Sequence, residues 1–256
     1  MSDASQKILV VHIAGLARTT LALPALRSLR HSLPSSHITV VSSNSAADVI
    51  RLGVCADEVL PIGQLRGANL IGPRTSYRSL KTVGALRRES FDLAIEFERS
   101  AETGFALFMA QPRKRLREND SKKGKLKQLL GHVADFLPLK PTVPKHVAHR
   151  YLETIAPLGA FAIESEPRLF TDRTADERIE KRLKKLGFDE RLLIGIHPGA
   201  GKGKPRWQLE RFADVASRLI HLMDARVIIF GGRGEKSLAK QLTAMLPPKR
   251  AAAFDS

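Results

Sequence analysis

Two glycine-bearing stretches carry the residues best suited to chemistry, and both are cationic. The first, HIAGLARTTLALPALRSLR, covers residues 12–30. Gly15 brings a residue without Cβ to the turn, and Thr19 and Thr20 bring hydroxyls to the start of a helix, as a phosphate or sugar site requires. The centre of the stretch is Arg18. A guanidinium stays protonated at any working pH and cannot take a proton from a hydroxyl, but it can hold a phosphate or steady a departing diphosphate. The second stretch, IGIHPGAGKGKPRW, covers residues 194–207. Its glycines let backbone amides approach an anion, with His197 and Gly199 at the turn and Lys202, Lys204 and Arg206 supplying charge. It lacks the glycine–lysine–serine/threonine ending of a P-loop. A third segment, FGGRGEK, places Glu235 behind another glycine turn, where acids in nucleotide-binding sheets accept hydrogen bonds from ribose hydroxyls.

Carboxylates for general-base work are few near these loops. Glu96 and Glu98, in FDLAIEFE, sit two apart and so share a face if the segment stays extended. His12 is a third candidate base, although a histidine inside an apolar strand reads first as a core residue. No carboxylate cluster accompanies the loops, so no metal site is expected and the cations must come from side chains.

Apolar periodicity supplies the elements that would position these groups. ILVVHI reads as a buried strand, and Thr20 to Leu33 as a helix. HITVVSS, AADVIRL, EVLPI, a helix over Ser76 to Arg88, FDLAIEF and AETGFALFMA then alternate strand and helix. Residues 111–127, QPRKRLRENDSKKGKLK, break the rhythm and read as a basic loop. Arg113, Lys114, Arg115, Lys122 and Lys123 make it either a solvated surface or an acceptor-side patch for phosphorylated substrate or anionic lipid. After the helix HVAHRYLETIAPLG, residues 166–190 read as a connection and a charged helix. A second series follows: LLIGI, LERFADVASRLIHLM, ARVIIFGG and GEKSLAKQLTAML. Alternation of this kind predicts α/β structure with parallel sheets. It divides as 1–165, 166–190 and 191–256, and the last part holds two strands and at most the beginning of a third.

The formal net charge of +16 over 256 residues points to anionic partners. Cys55 is the only cysteine, which excludes an internal disulfide or a cysteine-zinc cluster and suits a reducing cytoplasm. KILVVHIAGLA loosely imitates a signal peptide, but His12 interrupts it and Asp3 precedes it, so it reads as the first strand.

The stretches LALPALRSLRHSLPSSHITVV, FDLAIEF, HPGAGKGKPRWQLERFADVASRL and ARVIIFGGRGE, in this order, resemble glycosyltransferase family 9, the ADP-heptose:lipopolysaccharide heptosyltransferases. The resemblance implies a GT-B architecture of two Rossmann-like units facing a cleft. The first unit would take a lipopolysaccharide core acceptor and the second a nucleotide sugar such as ADP-heptose. It also implies inverting transfer without metal or other cofactor, in the cytoplasm or peripherally on the inner membrane. Three departures accompany it. The family's glycine–aspartate, whose carboxylate is the base, is Ala17–Arg18 here. Its lysine two before the tryptophan is Pro205, flanked by Lys204 and Arg206. Its aspartate–serine/threonine–glycine–x–x–histidine ending is not reached by Ser256, as in a C-terminally shortened form. Two other classes compete: a non-catalytic acceptor- or nucleotide-binding relative, separable by donor binding, and a basic nucleic-acid-binding protein. The second lacks an aromatic stacking series, and no nucleic-acid partner is expected.

Overall fold

The computed structural model describes residues 5–62, 84–117, 146–163, 166–188, 191–199, 205–232 and 234–255. The chain divides into two compact units, Met1–Phe170 and Thr171–Ser256.

The first unit is built on five parallel strands: β1 (Lys7–His12), β2 (His37–Ser43), β3 (Glu58–Ile62), β4 (Leu93–Glu96) and β5 (Lys114–Arg117). Their order is β3-β2-β1-β4-β5. The helices are α1 (Leu16–Ser32), α2 (Ala47–Leu52), α3 (Ala101–Ala110) and α4 (Val147–Ile155), the last running into a 3-10 turn, Ala156–Leu158. Strand alternation decides which side chain meets which layer. Ile8 and Val10 of β1 pack with Leu23 and Leu26 of α1 and Tyr151 of α4. Leu9 and Val11 pack on the other face with Ala106 and Leu107 of α3. All four β1 residues are fully buried, as a sheet covered on both faces requires.

Two sequence expectations need correction here, and a third is described only in part. The basic stretch is not a loop throughout, because Lys114–Arg117 forms β5 and pairs in parallel with β4, Leu93 opposite Lys114 and Glu96 opposite Arg117. Backbone hydrogen bonds to an existing strand make this pairing indifferent to the charged side chains, and charge on an edge strand discourages further pairing. Helix α1 begins at Leu16, four residues before the expected Thr20. Of the helix expected over 76–88, only residues 84–88 fall among the described residues, and they are helical.

The second unit carries α5 (Arg173–Lys185), β6 (Leu193–Ile196), α6 (Leu209–Met223), β7 (Arg226–Gly231), α7 (Lys236–Ala244) and β8 (Ala251–Asp255). Asp172 caps α5 by accepting the Ala175 N–H at 2.6 Å. The sheet is parallel in the order β6-β7-β8. The ending that promised only the beginning of a strand forms five residues, paired along their length with β7. Val227 and Ile229 face α6 and α7 through Ile220, Leu242 and Leu246.

Candidate functional site

In the first unit the chain leaves β1 for β2 and β3 on one side, then returns to β4 on the other. The carboxyl ends of β1 and β4 therefore lie at a topological switch point, where open parallel sheets place ligands. Four elements deliver side chains there. Strand β1 ends at His12, α1 starts behind Gly15, the segment after β4 carries Glu98, and α4 carries Tyr151.

An ion pair forms the centre. Arg18 Nη1 donates to Glu98 Oε1 at 2.8 Å. The Tyr151 hydroxyl donates to the same carboxylate oxygen. The Arg18 side chain is 56 % exposed and that of Glu98 18 %, so a ligand meets the guanidinium first. The Glu98 hydrogen bond raises the Arg18 pKa, and burial together with the same carboxylate raises that of Tyr151. Phe97 turns inward and stacks on the Tyr151 ring at 5.0 Å between centroids, which fixes the phenol.

His12 lies behind this group, edge-on to Tyr151 at 5.4 Å and to Phe97 at 5.9 Å. It is fully buried, and neither ring nitrogen has a hydrogen-bond partner among the described residues. Burial lowers its pKa to about 4, so the imidazole is neutral at physiological pH. A substrate hydroxyl cannot reach it, which removes His12 from the candidate bases.

Glu96 and Glu98 part company. Strand β4 ends at Glu96, so strand alternation does not extend to Glu98. Glu96 is buried and accepts from the Thr103 hydroxyl at 2.6 Å. Thr103 belongs to a capping box in which its hydroxyl accepts the Ser100 N–H and the Ser100 hydroxyl accepts the Thr103 N–H. Glu96 thus supports the start of α3, while Glu98 points at α1 and α4. The two threonines also move. With α1 beginning at Leu16, both lie in its second turn, Thr19 buried and Thr20 donating to the Leu16 carbonyl at 3.0 Å. Gly15 remains at the cap, exposed, with φ −76°.

The second unit gathers its own group at the ends of β6 and β7. Glu235 Oε2 accepts the Gly232 N–H at 3.1 Å and lies 3.3 Å from His197 Nε2. A Cβ on Gly199 would stand 2.0 Å from Glu235 Oε1, so only glycine leaves room for that carboxylate. Arg206 is exposed nearby in sequence, while Lys202 and Lys204 lie outside the described residues. The acceptor-side basic residues are also partly placed. Arg113 pairs with Asp92 at 3.1 Å, Lys114 and Arg115 belong to β5, and Lys122 and Lys123 lie outside the described residues. Among the described residues no group of three or more His, Cys, Asp or Glu is arranged to hold a metal ion, and no helix is long and apolar enough to cross a membrane.

Sequence reasoning missed Tyr151. An aromatic residue on the apolar stripe of an amphipathic helix reads as core, and only its hydroxyl contact reveals a second role. Ser100 ahead of the apolar helix, by contrast, was available as an N-cap signal.

Solved structures share this architecture. A glycosyl transferase family 9 protein from Veillonella parvula matches 97 % of the chain and 70 % of its own length, with a TM-score of 0.77 at 19 % identity. The chain has the fold of the family 9 glycosyltransferases. The ADP-heptose lipopolysaccharide heptosyltransferase II of E. coli matches 98 % of the chain and 72 % of its own, with a TM-score of 0.70 at 18 % identity. E. coli heptosyltransferase WaaC, solved with ADP-2-deoxy-2-fluoro heptose, matches 97 % and 76 %, with a TM-score of 0.67 at 16 % identity. No family model and no curated protein sequence matches the chain.

Proposed function

We propose that the protein is a glycosyltransferase that moves a sugar from a nucleotide donor to a carbohydrate hydroxyl, with Glu98 as the base. The observation that carries the reading is the sheltered Glu98 carboxylate at the β1/β4 switch point, opposite the start of α1. The family resemblance puts a carboxylate in the first loop, where this chain has Arg18. Glu98 brings a carboxylate to the same place from β4. Likeness of fold to heptosyltransferases makes ADP-heptose the favoured donor and a lipopolysaccharide core sugar the favoured acceptor.

In this mechanism the acceptor O–H gives its proton to Glu98 as its oxygen bonds the anomeric carbon. The anomeric C–O bond breaks with its electron pair leaving on the nucleoside diphosphate, and attack from the opposite face inverts the centre. Tyr151 and Phe97 fix the carboxylate. In the second unit Glu235 accepts from ribose hydroxyls, with His197, Gly199 and Arg206 beside it in the donor loop, whose sequence also holds Lys202 and Lys204. Those cations neutralise the diphosphate without a metal.

Transfer from ADP-heptose to deacylated core oligosaccharide tests this, read as ADP release and product mass. Glu98→Gln should lower kcat by about a hundredfold or more, the range of general-base removal, with ADP binding retained. Transfer unchanged in Glu98→Gln removes Glu98 from the mechanism. Calorimetric ADP binding should be the same with and without chelator. For the basic edge, serine in place of Arg113, Lys114, Arg115, Lys122 and Lys123 should abolish salt-sensitive binding to anionic vesicles. Unchanged vesicle binding leaves that segment a solvated surface.

A further inference from the structure

The amino end of the second sheet gathers more positive charge than its one carboxylate partner balances. We propose that Arg191, Arg226 and Arg250 form a site for phosphate, free or as a monoester, separate from the donor loop and independent of the transferase reading.

Strand order builds the cluster. β7 is the central strand, and Arg226 opens it. Arg250 immediately precedes β8, and its carbonyl accepts the Val227 N–H at 2.9 Å. Arg191 lies two residues before β6, where the Leu192 carbonyl accepts the Arg226 N–H at 2.8 Å. Neighbouring strands thus deliver three guanidiniums to one edge of the sheet, where like charges repel. Asp224 serves two of them. It ends α6 in the left-handed conformation, at φ 49° and ψ 33°, which aspartate adopts more readily than most residues. From there one carboxylate oxygen pairs with Arg191 and the other with Arg250. Both oxygens are then engaged.

Arg226 is left in the middle. Its Nε donates to the Gly187 carbonyl at a long 3.4 Å, and its guanidinium lies 5.9 Å from the centre of the Phe188 ring. Its Nη1 is buried with no hydrogen-bond partner among the described residues. Burial, then the charges of Arg250 and Arg191, lower the Arg226 pKa, so both of these neighbours repel it. A buried donor without an acceptor marks a place for a water or an ion. Charge decides between them. Three guanidiniums and one carboxylate leave two positive charges among the described residues, outside which Asp189 and Glu190 lie. A water brings no charge, whereas a phosphate monoester brings nearly two negative charges and three acceptor oxygens, one for each guanidinium. Arg191 and Arg250 stay partly exposed, so the cluster is open to solvent. The glycine turn that carries Glu235 follows the carboxyl end of β7, about 17 Å from Arg226 at roughly 3.3 Å per strand residue.

Calorimetry of the full chain with inorganic phosphate, at constant ionic strength, tests the site. Saturable binding is expected, weakened about tenfold or more in Arg226→Gln, the scale of one charge-assisted hydrogen bond. Arg191→Gln should weaken it as well, and this residue lies outside the strands, so the test survives if Arg226→Gln disturbs the sheet. Circular dichroism checks both variants. ADP affinity should be the same in Arg226→Gln as in the unaltered chain. Glucose 6-phosphate and phosphatidic acid vesicles separate the sources of phosphate. Arg226-dependent binding of the sugar phosphate alone makes the ligand a soluble monoester, and Arg226-dependent binding of the vesicles makes it a lipid headgroup. Absence of saturable phosphate binding, or binding indifferent to both Arg226 and Arg191, overturns the proposal. So does binding lost in Arg206→Gln alone, which would give the phosphate to the donor loop. None of these readings involves sugar transfer, so the site and the transferase reading can fail separately.

Discussion

The two units use the same strand–helix grammar and reach different degrees of enclosure. In the first, both faces of β1 are sealed, by α1 and α4 on one side and α3 on the other, and Ile8, Leu9, Val10 and Val11 are fully buried. In the second, Val227 and Ile229 are sealed by α6 and α7, while Leu193 and Phe230 on the opposite face are 39 % and 45 % exposed. Arg182 covers part of that face by lying 3.9 Å above the Phe254 ring. Burial of apolar area is the main favourable term in folding, so a sheet whose second face is only partly covered has less to hold it closed. The comparison also separates the two candidate sites. Glu98 rests on a rigid floor of Phe97, Tyr151 and His12, whereas Glu235 is held by one amide, one imidazole and the space above a glycine.

The largest expected consequence is in hydrogen exchange. Amides of β1, β2 and β4 should exchange about a thousandfold more slowly than those of β6, β7 and β8, since opening free energies follow local burial. Equal protection across the two sheets would break the comparison at its root.

The next effect belongs to the first unit alone. His12 keeps its proton off down to about pH 4 when folded, because burial disfavours the charged ring, while an unfolded histidine takes one near 6.5. Between those values the unfolded chain binds more protons than the folded one, so stability falls as pH drops through that window and levels off below it. The full loss is about 3 kcal/mol at 1.36 kcal/mol per unit. Urea titrations at pH 7, 5.5 and 4 should show it for the first unit, and His12→Leu should remove this contribution to the pH slope. An unchanged slope in that variant would assign the acid sensitivity to other groups.

What the sequence disclosed follows the same division between sealed and open. β2 reads directly from HITVVSS because a strand buried on both faces is a run of apolar and small residues. β5 was illegible because KRLR joins the sheet through its backbone, and no side-chain pattern announces that. The start of α1 was misplaced because an uncapped glycine is a weak signal beside two threonines, and the shift moved both hydroxyls out of the site. Glu98 could be named from sequence, but its separation from Glu96 depends on β4 ending between them. Tyr151 enters from a helix some fifty residues away (|i−j| = 53), a distance that local spacing cannot bridge.

The smallest effects contrast two glycines in corresponding loops. Gly199 has Glu235 directly over it, with the carboxylate carbon 2.4 Å from where a Cβ would stand. Gly199→Ala must therefore push Glu235 away from the Gly232 amide and His197. ADP affinity should fall about tenfold, roughly 1.4 kcal/mol, from the loss of one charge-assisted interaction. Removing the carboxylate itself with Glu235→Ala should have a similar effect, and the double variant should lose little more, because both changes act on one contact. Gly15 has nothing within 4 Å of its notional Cβ and an ordinary negative φ. Gly15→Ala should then be felt only through the poorer N-cap, at about 0.5 kcal/mol of stability, with ADP binding untouched. Comparable losses of ADP affinity at both glycines would mean that the loop after β6 is no more committed to a particular carboxylate than the loop after β1. Additive losses in Gly199→Ala and Glu235→Ala would instead give Gly199 a role of its own, such as backbone approach to the diphosphate.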